Sequence, residues 1–188
     1  MKILKITTAI VLFTITANAQ ITKGNWMVGG SGSYINYSIK SSANSVTTDS
    51  NNSQLLISPT IGYFVANNFA CGLSSNFGIS MPEAGNHSTT YGIGPFVRYY
   101  FLKPEKMINI LTQVGYYYGT SNYDSKTNNV DFKAGPVVFF NKSIGLEFTI
   151  NYSISKYSDS SYNSTSRIFN AGVGFQIHLE NIKKKLKI

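Results

Sequence analysis

Residues 91–101 read Tyr91-Gly92-Ile93-Gly94-Pro95-Phe96-Val97-Arg98-Tyr99-Tyr100-Phe101, and large apolar side chains occupy every second position. One face of this stretch carries Tyr91, Ile93, Pro95, Val97, Tyr99 and Phe101, and the other carries Gly92, Gly94, Phe96 and Arg98. Successive side chains of a β-strand point to opposite faces, so a period of two predicts a strand with one apolar surface.

The same alternation recurs along the chain. It predicts eight strands, near residues 25–39, 54–65, 69–80, 89–102, 107–119, 129–140, 143–156 and 166–179. The connections after the second, fourth and sixth strands are tight turns, at residues 66–68, 103–106 and 141–142. The other connections are longer and polar, at residues 41–53, 81–88, 120–128 and 157–165. Short turns at one end and long loops at the other are typical of an outer-membrane barrel.

An internal repeat supports a ring of hairpins. The segments Ile57–Ile61, Ile93–Val97, Ala134–Val138 and Ala171–Phe175 resemble one another on alternate strands. The first three contain Pro59, Pro95 and Pro136, and proline usually avoids central strands because it cannot donate a ladder hydrogen bond. A closed barrel has no edge strands, so these prolines are expected at bulges or at weakened points of the ladders.

The composition of the polar faces indicates which face is outside. These faces are rich in Gly, Ser and Asn, whereas a water-facing strand surface carries many long charged side chains. Small side chains suit the narrow interior of an eight-stranded barrel, which leaves the apolar faces toward lipid. Two aromatic girdles are expected: Trp26, Tyr63, Tyr99, Phe101 and Phe140 at the short turns, and Tyr116, Tyr118 and Tyr152 toward the long loops.

The sequence therefore predicts an all-β fold: an eight-stranded antiparallel up-and-down transmembrane β-barrel with short periplasmic turns and longer extracellular loops. The alternative is a soluble β-protein with a tyrosine-rich core. Residues 1–19 are interpreted as a signal peptide, with Lys2 and Lys5 before an apolar run that ends at Ala17-Asn18-Ala19. A buried N-terminal helix is the other interpretation of this stretch.

Residues 20–180 form the predicted barrel domain, and residues 181–188 form a basic C-terminal tail with four lysines. Much of the formal charge of +8 lies in the two ends of the chain. No basic stripe follows a folded face, so nucleic acid is not expected as a partner. The tail is expected to be solvated or to contact anionic lipid headgroups.

Four charged residues fall in mid-strand on the polar faces: Arg98, Asp131, Lys133 and Glu147. An unpaired charge inside a narrow lumen would lose its solvation, so we expect these four to compensate one another. The pair expected across adjacent strands is Lys133–Glu147, with Arg98 reaching a carboxylate. The cluster could fill and fix a closed interior, or it could form a gated plug or a narrow ion path.

The mature sequence resembles the small outer-membrane β-barrel family that includes OmpA-type and OmpX-type barrels, in its Bacteroidota "porin family" or "outer membrane β-barrel domain" version. The stretches that carry the resemblance are residues 23–30 (KGNWMVGG), 58–64 (SPTIGYF) and 92–100 (GIGPFVRYY). Residues 170–177 (NAGVGFQI) resemble the family's C-terminal assembly signal. The resemblance implies a Gram-negative outer-membrane location, assembly by the barrel-assembly machinery and an internal charge cluster.

Three functions are compatible with such a barrel. The sequence favours a non-enzymatic structural and surface-contact barrel, because its outer loops are polar and carry tyrosines. As a monomer it would contact outer-membrane lipids, lipopolysaccharide or an unidentified loop partner. A narrow passive pore is limited by the small strand count. A lipid-A-modifying enzyme would have to use His87, Ser88 and Glu83, whose spacing suits a catalytic set poorly because adjacent strand residues face opposite ways.

Neither a cofactor nor a metal is predicted. His87 and His178 are the two histidines and Cys71 is the one cysteine, so no metal-ligand spacing exists. We interpret His178 as a hydrogen-bonded lumen or rim histidine and Cys71 as a small apolar filler on a strand.

Overall fold

The structure is a computed structural model, and it describes residues 21–43, 46–83, 85–122, 126–158 and 163–180. The predicted signal peptide at residues 1–19 and the basic tail at residues 181–188 lie outside this described part. No helix in the described ranges is long and apolar enough to cross a membrane.

Eight strands form one closed barrel. They are β1 (Trp26–Ala43), β2 (Val46–Ala66), β3 (Phe69–Pro82), β4 (Ser88–Tyr100), β5 (Ile108–Ser121), β6 (Lys126–Phe139), β7 (Ile144–Ser158) and β8 (Asn163–Leu179). Each strand pairs antiparallel with the next, and β8 pairs antiparallel with β1. The prediction of an all-β, eight-stranded antiparallel up-and-down barrel is confirmed.

The intervals between consecutive strands are short at both ends of the barrel, at residues 67–68, 101–107 and 140–143 at one end and 44–45, 83–87, 122–125 and 159–162 at the other, so the expected contrast in length is not seen in the strand bounds. We keep the names short-turn end and long-loop end for these two ends. At the short-turn end, β2 and β3 are joined by Asn67-Asn68, and Asn68 takes a positive φ of 66°. Asparagine is one of the few residues other than glycine that adopt this conformation readily. At the opposite, long-loop end, the prediction of a loop at residues 41–53 was wrong. There β1 and β2 pair as far as Ala43↔Val46, because Ser, Thr and Asn backbones pair as well as apolar ones.

The three prolines interrupt the ladders without shifting the register. The β2–β3 ladder has no pairs between Ile57↔Phe77 and Thr60↔Ser74, where Pro59 lies. Corresponding gaps occur in the β4–β5 ladder at Pro95 and in the β6–β7 ladder at Pro136. Equal numbers of residues are skipped on both strands, so these are weakened ladders and not bulges. Each gap is explained by the proline, which has no backbone N–H to donate to the neighbouring strand.

Glycines before two of the prolines let the neighbouring strand come close. A Cβ added at Gly94 would lie 1.7 Å from the carbonyl oxygen of Tyr116. A Cβ at Gly135 would lie 2.0 Å from the carbonyl oxygen of Phe148. Since both obstacles are backbone atoms, the strands themselves would have to move apart to admit a side chain.

Gly94→Ala is expected to destabilise the barrel by about 1–3 kcal/mol, because the added methyl displaces the backbone of β5. Gly32→Ala is the matched control, since a Cβ there would lie 3.7 Å from its nearest neighbour, and its effect should stay within about 0.5 kcal/mol. The measurement is a urea titration in which the folded fraction is read from the band of unheated samples on a gel. Equal midpoints for the two variants would contradict the close approach.

The buried apolar core fills the short-turn end of the lumen. Its members are Ile21, Met27, Phe64, Ala70, Phe96, Tyr100, Leu111, Val137 and Phe139. Ile21 precedes β1, and its carbonyl accepts a hydrogen bond of 2.9 Å from the backbone N–H of Asn68. The segment before β1 is thereby held across the floor of the barrel. Large apolar side chains on the alternate face point outward and remain exposed.

The seam between β1 and β8 is the shortest ladder of the barrel. Seven pairs join the two strands, from Trp26↔Leu179 to Gly32↔Val173. By comparison, β1 forms eighteen pairs with β2, and β8 forms fifteen pairs with β7. Beyond Gly32 and Val173, toward the long-loop end, both strands continue without pairing to each other within the described residues.

Candidate functional site

A cage of aromatic rings forms the lowest layer of the lumen. The ring of His178 lies 5.3 Å from Phe64, 5.5 Å from Phe139 and 6.3 Å from Tyr100, measured between ring centroids. His178 is buried, but neither ring nitrogen has a hydrogen-bond partner in the described part of the chain. The interpretation of His178 as a hydrogen-bonded histidine was wrong, because aromatic packing and not polar side chains surround it.

A buried ion pair crosses the lumen directly above this cage. Arg98 Nη1 lies 2.5 Å from Glu147 Oε1, and Nη2 donates to Oε2 at 3.4 Å. Arg98 Nε donates to Gln113 Oε1 at 2.8 Å, and Nη1 donates to Gln176 Oε1 at 3.0 Å. The Tyr100 hydroxyl donates to the same Gln176 oxygen. The guanidinium of β4 thus reaches side chains on β5, β7 and β8.

The structure brings together only part of the expected charge cluster. The expectation that Arg98 reaches a carboxylate is confirmed, but the expected Lys133–Glu147 pair was wrong. In the β6–β7 register Lys133 faces Asn151, whereas Glu147 faces Val137, four positions away along β6. The carboxylate of Glu147 instead pairs with the guanidinium of Arg98, whose two Nη atoms contact its two oxygens.

Lys133 crosses the lumen to the opposite wall. Its Nζ donates to Ser31 Oγ on β1 at 3.0 Å, and the residue is 7% exposed. Asp131 lies two residues earlier on the same face, where it interacts with Lys133 and with the Tyr117 hydroxyl. Asp131 Oδ1 is buried and has no hydrogen-bond partner among the described residues. Lys133 and Asp131 therefore form a second charged layer, which has no direct ion pair with Arg98 or Glu147 among the described residues but lies close enough to interact with both electrostatically.

Polar cavities occupy the lumen from this second layer to the long loops. The lower one has a volume of about 60 Å³ and is lined by Lys133, Asp131, Asn151, Asn170 and Ser31, among others. The upper one, of about 90 Å³, is lined mostly by Ser, Thr, Asn and Gly around Tyr117. On β7, Asn151 lines the lower cavity while Glu147 lies nearer the short turns. The cavities therefore lie above the Arg98–Glu147 layer, and their walls offer hydrogen bonds to a polar group.

An apolar depression, which we call the seam groove, lies on the outer wall where the β1–β8 ladder stops. Its volume is about 480 Å³, and its apolar lining is Tyr34, Pro136, Phe148, Ile150, Ala171 and Val173. Its base is formed by Gly32, Ser33 and Gly172, which also line the lower lumen cavity. The groove and the cavity thus share one thin part of the barrel wall.

We expect cysteines placed across the seam above its last pair to form a disulfide slowly. If the ladder continued, Tyr34 would face Ala171, so the tested variant is Tyr34→Cys with Ala171→Cys in a Cys71→Ser background. The control is Val28→Cys with Ile177→Cys, which are paired. A disulfide needs Cα atoms within about 7 Å.

The control pair should oxidise readily, and the upper pair should remain largely reduced under the same conditions. Alkylation followed by mass spectrometry measures both fractions. Equal oxidation would mean that the seam stays closed above Gly32 and Val173.

The aromatic residues expected in girdles lie on the outer face. Trp26 and Tyr63 pack against each other at 5.2 Å between centroids, and Tyr99 and Phe101 do so at 5.1 Å. These four and Phe140 lie toward the short turns, while Tyr116, Tyr118 and Tyr152 lie toward the long loops. All eight side chains are exposed or half-buried.

Within the described residues, no hydrogen bond joins the side chains of Glu83, His87 and Ser88, the loop residues considered for catalysis. Glu83 Oε2 accepts a hydrogen bond of 3.2 Å from the backbone N–H of Asn51, and His87 is exposed. The carbonyl of His87 accepts from Asn122 Nδ2 at 3.4 Å, and Ser88 begins β4. In the ranges that the structure describes, no three His, Cys, Asp or Glu side chains converge on a possible metal site.

Comparison with solved structures finds small barrels of the outer membrane. Neisserial surface protein A has a TM-score of 0.53 and 10% sequence identity, over 82% of this chain and 97% of that one. The outer membrane protein OprG from Pseudomonas aeruginosa also has a TM-score of 0.53 and 10% identity, over 88% of this chain and 100% of that one. No family model and no curated protein sequence matches. At this identity the likeness shows a shared fold alone.

Proposed function

We propose that this chain is an integral outer-membrane protein with a largely filled lumen, and that it acts as a non-enzymatic structural and surface-contact barrel. The observation that carries the proposal is the inversion of polarity. Large apolar side chains cover the outside of the barrel, while charged and amide side chains are buried inside it. A protein dissolved in water has the opposite arrangement.

The extent of the apolar outer surface favours lipid as its surroundings. Leu73, Ile93, Phe148, Val173 and Phe175 are each about half exposed, and they lie on strands around the barrel. Contiguous exposed apolar surface of this extent marks an interaction with a membrane or a protein. A closed barrel also satisfies its strand hydrogen bonds internally, which a membrane-spanning chain requires.

The proposed orientation places the short turns and both ends of the mature chain in the periplasm and the long loops outside the cell. It rests on the usual disposition of bacterial outer-membrane barrels. The resemblance to OmpA-type and OmpX-type sequences and the interpretation of residues 1–19 as an export signal belong to the same proposal. The expected contacts are outer-membrane lipids, lipopolysaccharide and the barrel-assembly machinery, with the barrel as a monomer.

The first test concerns the membrane. The full chain should be recovered in the outer-membrane fraction and released by detergent, and its unheated form should migrate differently from its heated form on a gel. Heat-modifiable migration reports a detergent-resistant barrel. Recovery of the folded protein from the soluble periplasm would overturn the proposal.

The second test concerns the lumen. The buried Arg98–Glu147 layer and the apolar core lie between the cavities and the short turns, and we infer that they close this route. The purified protein in planar bilayers should therefore produce no steady conductance. Large, lasting conductance openings would show that the barrel is a narrow pore and that its lumen is not filled.

The third test concerns enzymatic activity. If the barrel is not an enzyme, the lipid A mass profile should be unchanged when the gene is deleted.

A further inference from the structure

The seam groove and the lower lumen cavity have complementary chemistry on the two sides of one wall. The groove is apolar and faces outward, whereas the cavity is lined by charged, amide and hydroxyl groups. Gly32, Ser33 and Gly172 border both. At this wall the β1–β8 ladder ends, with Gly32↔Val173 as its last pair, and the two glycines carry no side chains.

Lys133 brings a positive charge to this place in the wall. Its Nζ hydrogen-bonds to Ser31, one residue before the last ladder residue of β1. An ammonium group has three N–H donors, and one of them is used by Ser31. The remaining donors suit the oxygens of an anionic group.

Buried acceptors without partners lie in the same cavity. Asp131 Oδ1 and Asn151 Oδ1 have no hydrogen-bond partner in the described residues, and both residues line the cavity. The amide of Asn151 donates to Asn170 Oδ1 at 2.8 Å, so its own oxygen is left to accept. A buried acceptor without a donor costs about 1–3 kcal/mol, so a ligand that supplies N–H groups would relieve that cost.

We propose that the barrel binds a single-chain phosphoethanolamine amphiphile at the seam, with its phosphate beside Lys133, its ammonium toward Asp131 and Asn151, and its hydrocarbon chain in the seam groove. The phosphate supplies acceptors, the ammonium supplies donors, and the opposite charges of the headgroup match those of the Lys133–Asp131 layer. This site rests on the proposed membrane placement, since the chain of the ligand would lie among lipids.

The probe lipids separate charge from hydrogen bonding. Lysophosphatidylethanolamine and lysophosphatidylcholine of equal chain length have the same net charge, but only the first has ammonium N–H donors. Glycerophosphoethanolamine has the headgroup and no chain. Each is titrated into the detergent-purified barrel, and bound lipid is counted by native mass spectrometry.

The ethanolamine form should bind roughly tenfold more tightly than the choline form, as expected for one hydrogen bond to a charged group. The chainless headgroup should show no retained adduct. Equal binding of the two lysolipids would indicate adsorption by the chain alone and would overturn the site.

Two variants test the two halves of the site. Lys133→Met should weaken binding of the ethanolamine form about tenfold, whereas Lys156→Met, at an exposed position on β7, should leave it unchanged. Ala171→Trp fills the groove from the outer face and should weaken both lysolipids. Val97→Trp adds the same bulk on β4, away from the seam, and serves as its control.

The variant Ala171→Trp keeps the proposal testable if Lys133→Met does not fold, because Ala171 is exposed and lies outside the lumen. Binding unaffected by Ala171→Trp would overturn the proposal. The protein could be extracted from the membrane as a heat-modifiable barrel and still bind the two lysolipids equally. That result would contradict the site and leave the membrane placement intact. Soluble protein would contradict the membrane placement itself.

Discussion

Glu147→Leu is expected to destabilise the barrel by about 3–5 kcal/mol, because it leaves the buried guanidinium of Arg98 without its counter-charge. Both side chains of this pair are almost fully buried, at 2% and 3% exposure. The loss should appear as a lower urea concentration at the midpoint of unfolding, with the folded fraction read from the gel band of unheated samples. Glu105→Leu, at an exposed turn position, should change stability by no more than about 0.5 kcal/mol.

The double variant Arg98→Met with Glu147→Leu separates charge from packing. It removes both charges together, so it should lose less stability than the sum of the two single variants. Additive losses would mean that the two side chains act independently, contrary to the contact between them. Gln113 and Gln176 would still lose their charged partner in the double variant, so full recovery is not expected.

Val97→Arg is expected to destabilise the barrel in lipid vesicles by about 2 kcal/mol, since the charge would lie in the apolar band between the two aromatic girdles. Val97 is 45% exposed on the outer face of β4. The same substitution at Phe101, beyond the end of β4 in the girdle at the short turns, should cost no more than about 1 kcal/mol. Urea titration of both variants in the same vesicles measures the difference.

This comparison distinguishes lipid from water around the barrel. On the surface of a water-soluble barrel, an arginine at Val97 would be an ordinary exposed side chain with little effect on stability. A neutral Val97→Arg would therefore contradict the membrane placement.

The fold could be predicted because alternation is a local property of the sequence. Eight apolar faces and three tight turns locate the strands, and the proline that follows Gly94 already indicates a weak point in its ladder. The outer ends of the strands could not be located in this way. Beyond the apolar part, Ser, Thr and Asn continue the β1–β2 ladder to Ala43↔Val46, and their composition is also that of a loop.

The side-chain partners depend on register and on contacts across the lumen. The sequence identifies Arg98, Asp131, Lys133 and Glu147 as inward charges, but not the stagger of β6 against β7. Lys133 and Ser31 lie 102 residues apart in the sequence, so no local pattern connects them. The aromatic cage around His178 and the early end of the β1–β8 ladder are likewise products of barrel closure.

The short seam has a consequence for the order in which the barrel folds. All other ladders join strands that are neighbours in sequence, so each can form as a hairpin with a small loss of chain entropy. The β1–β8 ladder joins Trp26 to Leu179, almost the full length of the barrel domain apart. Closing this ladder loses the most chain entropy and forms the fewest backbone pairs. We therefore expect β1 and β8 to pair last during folding and to separate first during unfolding.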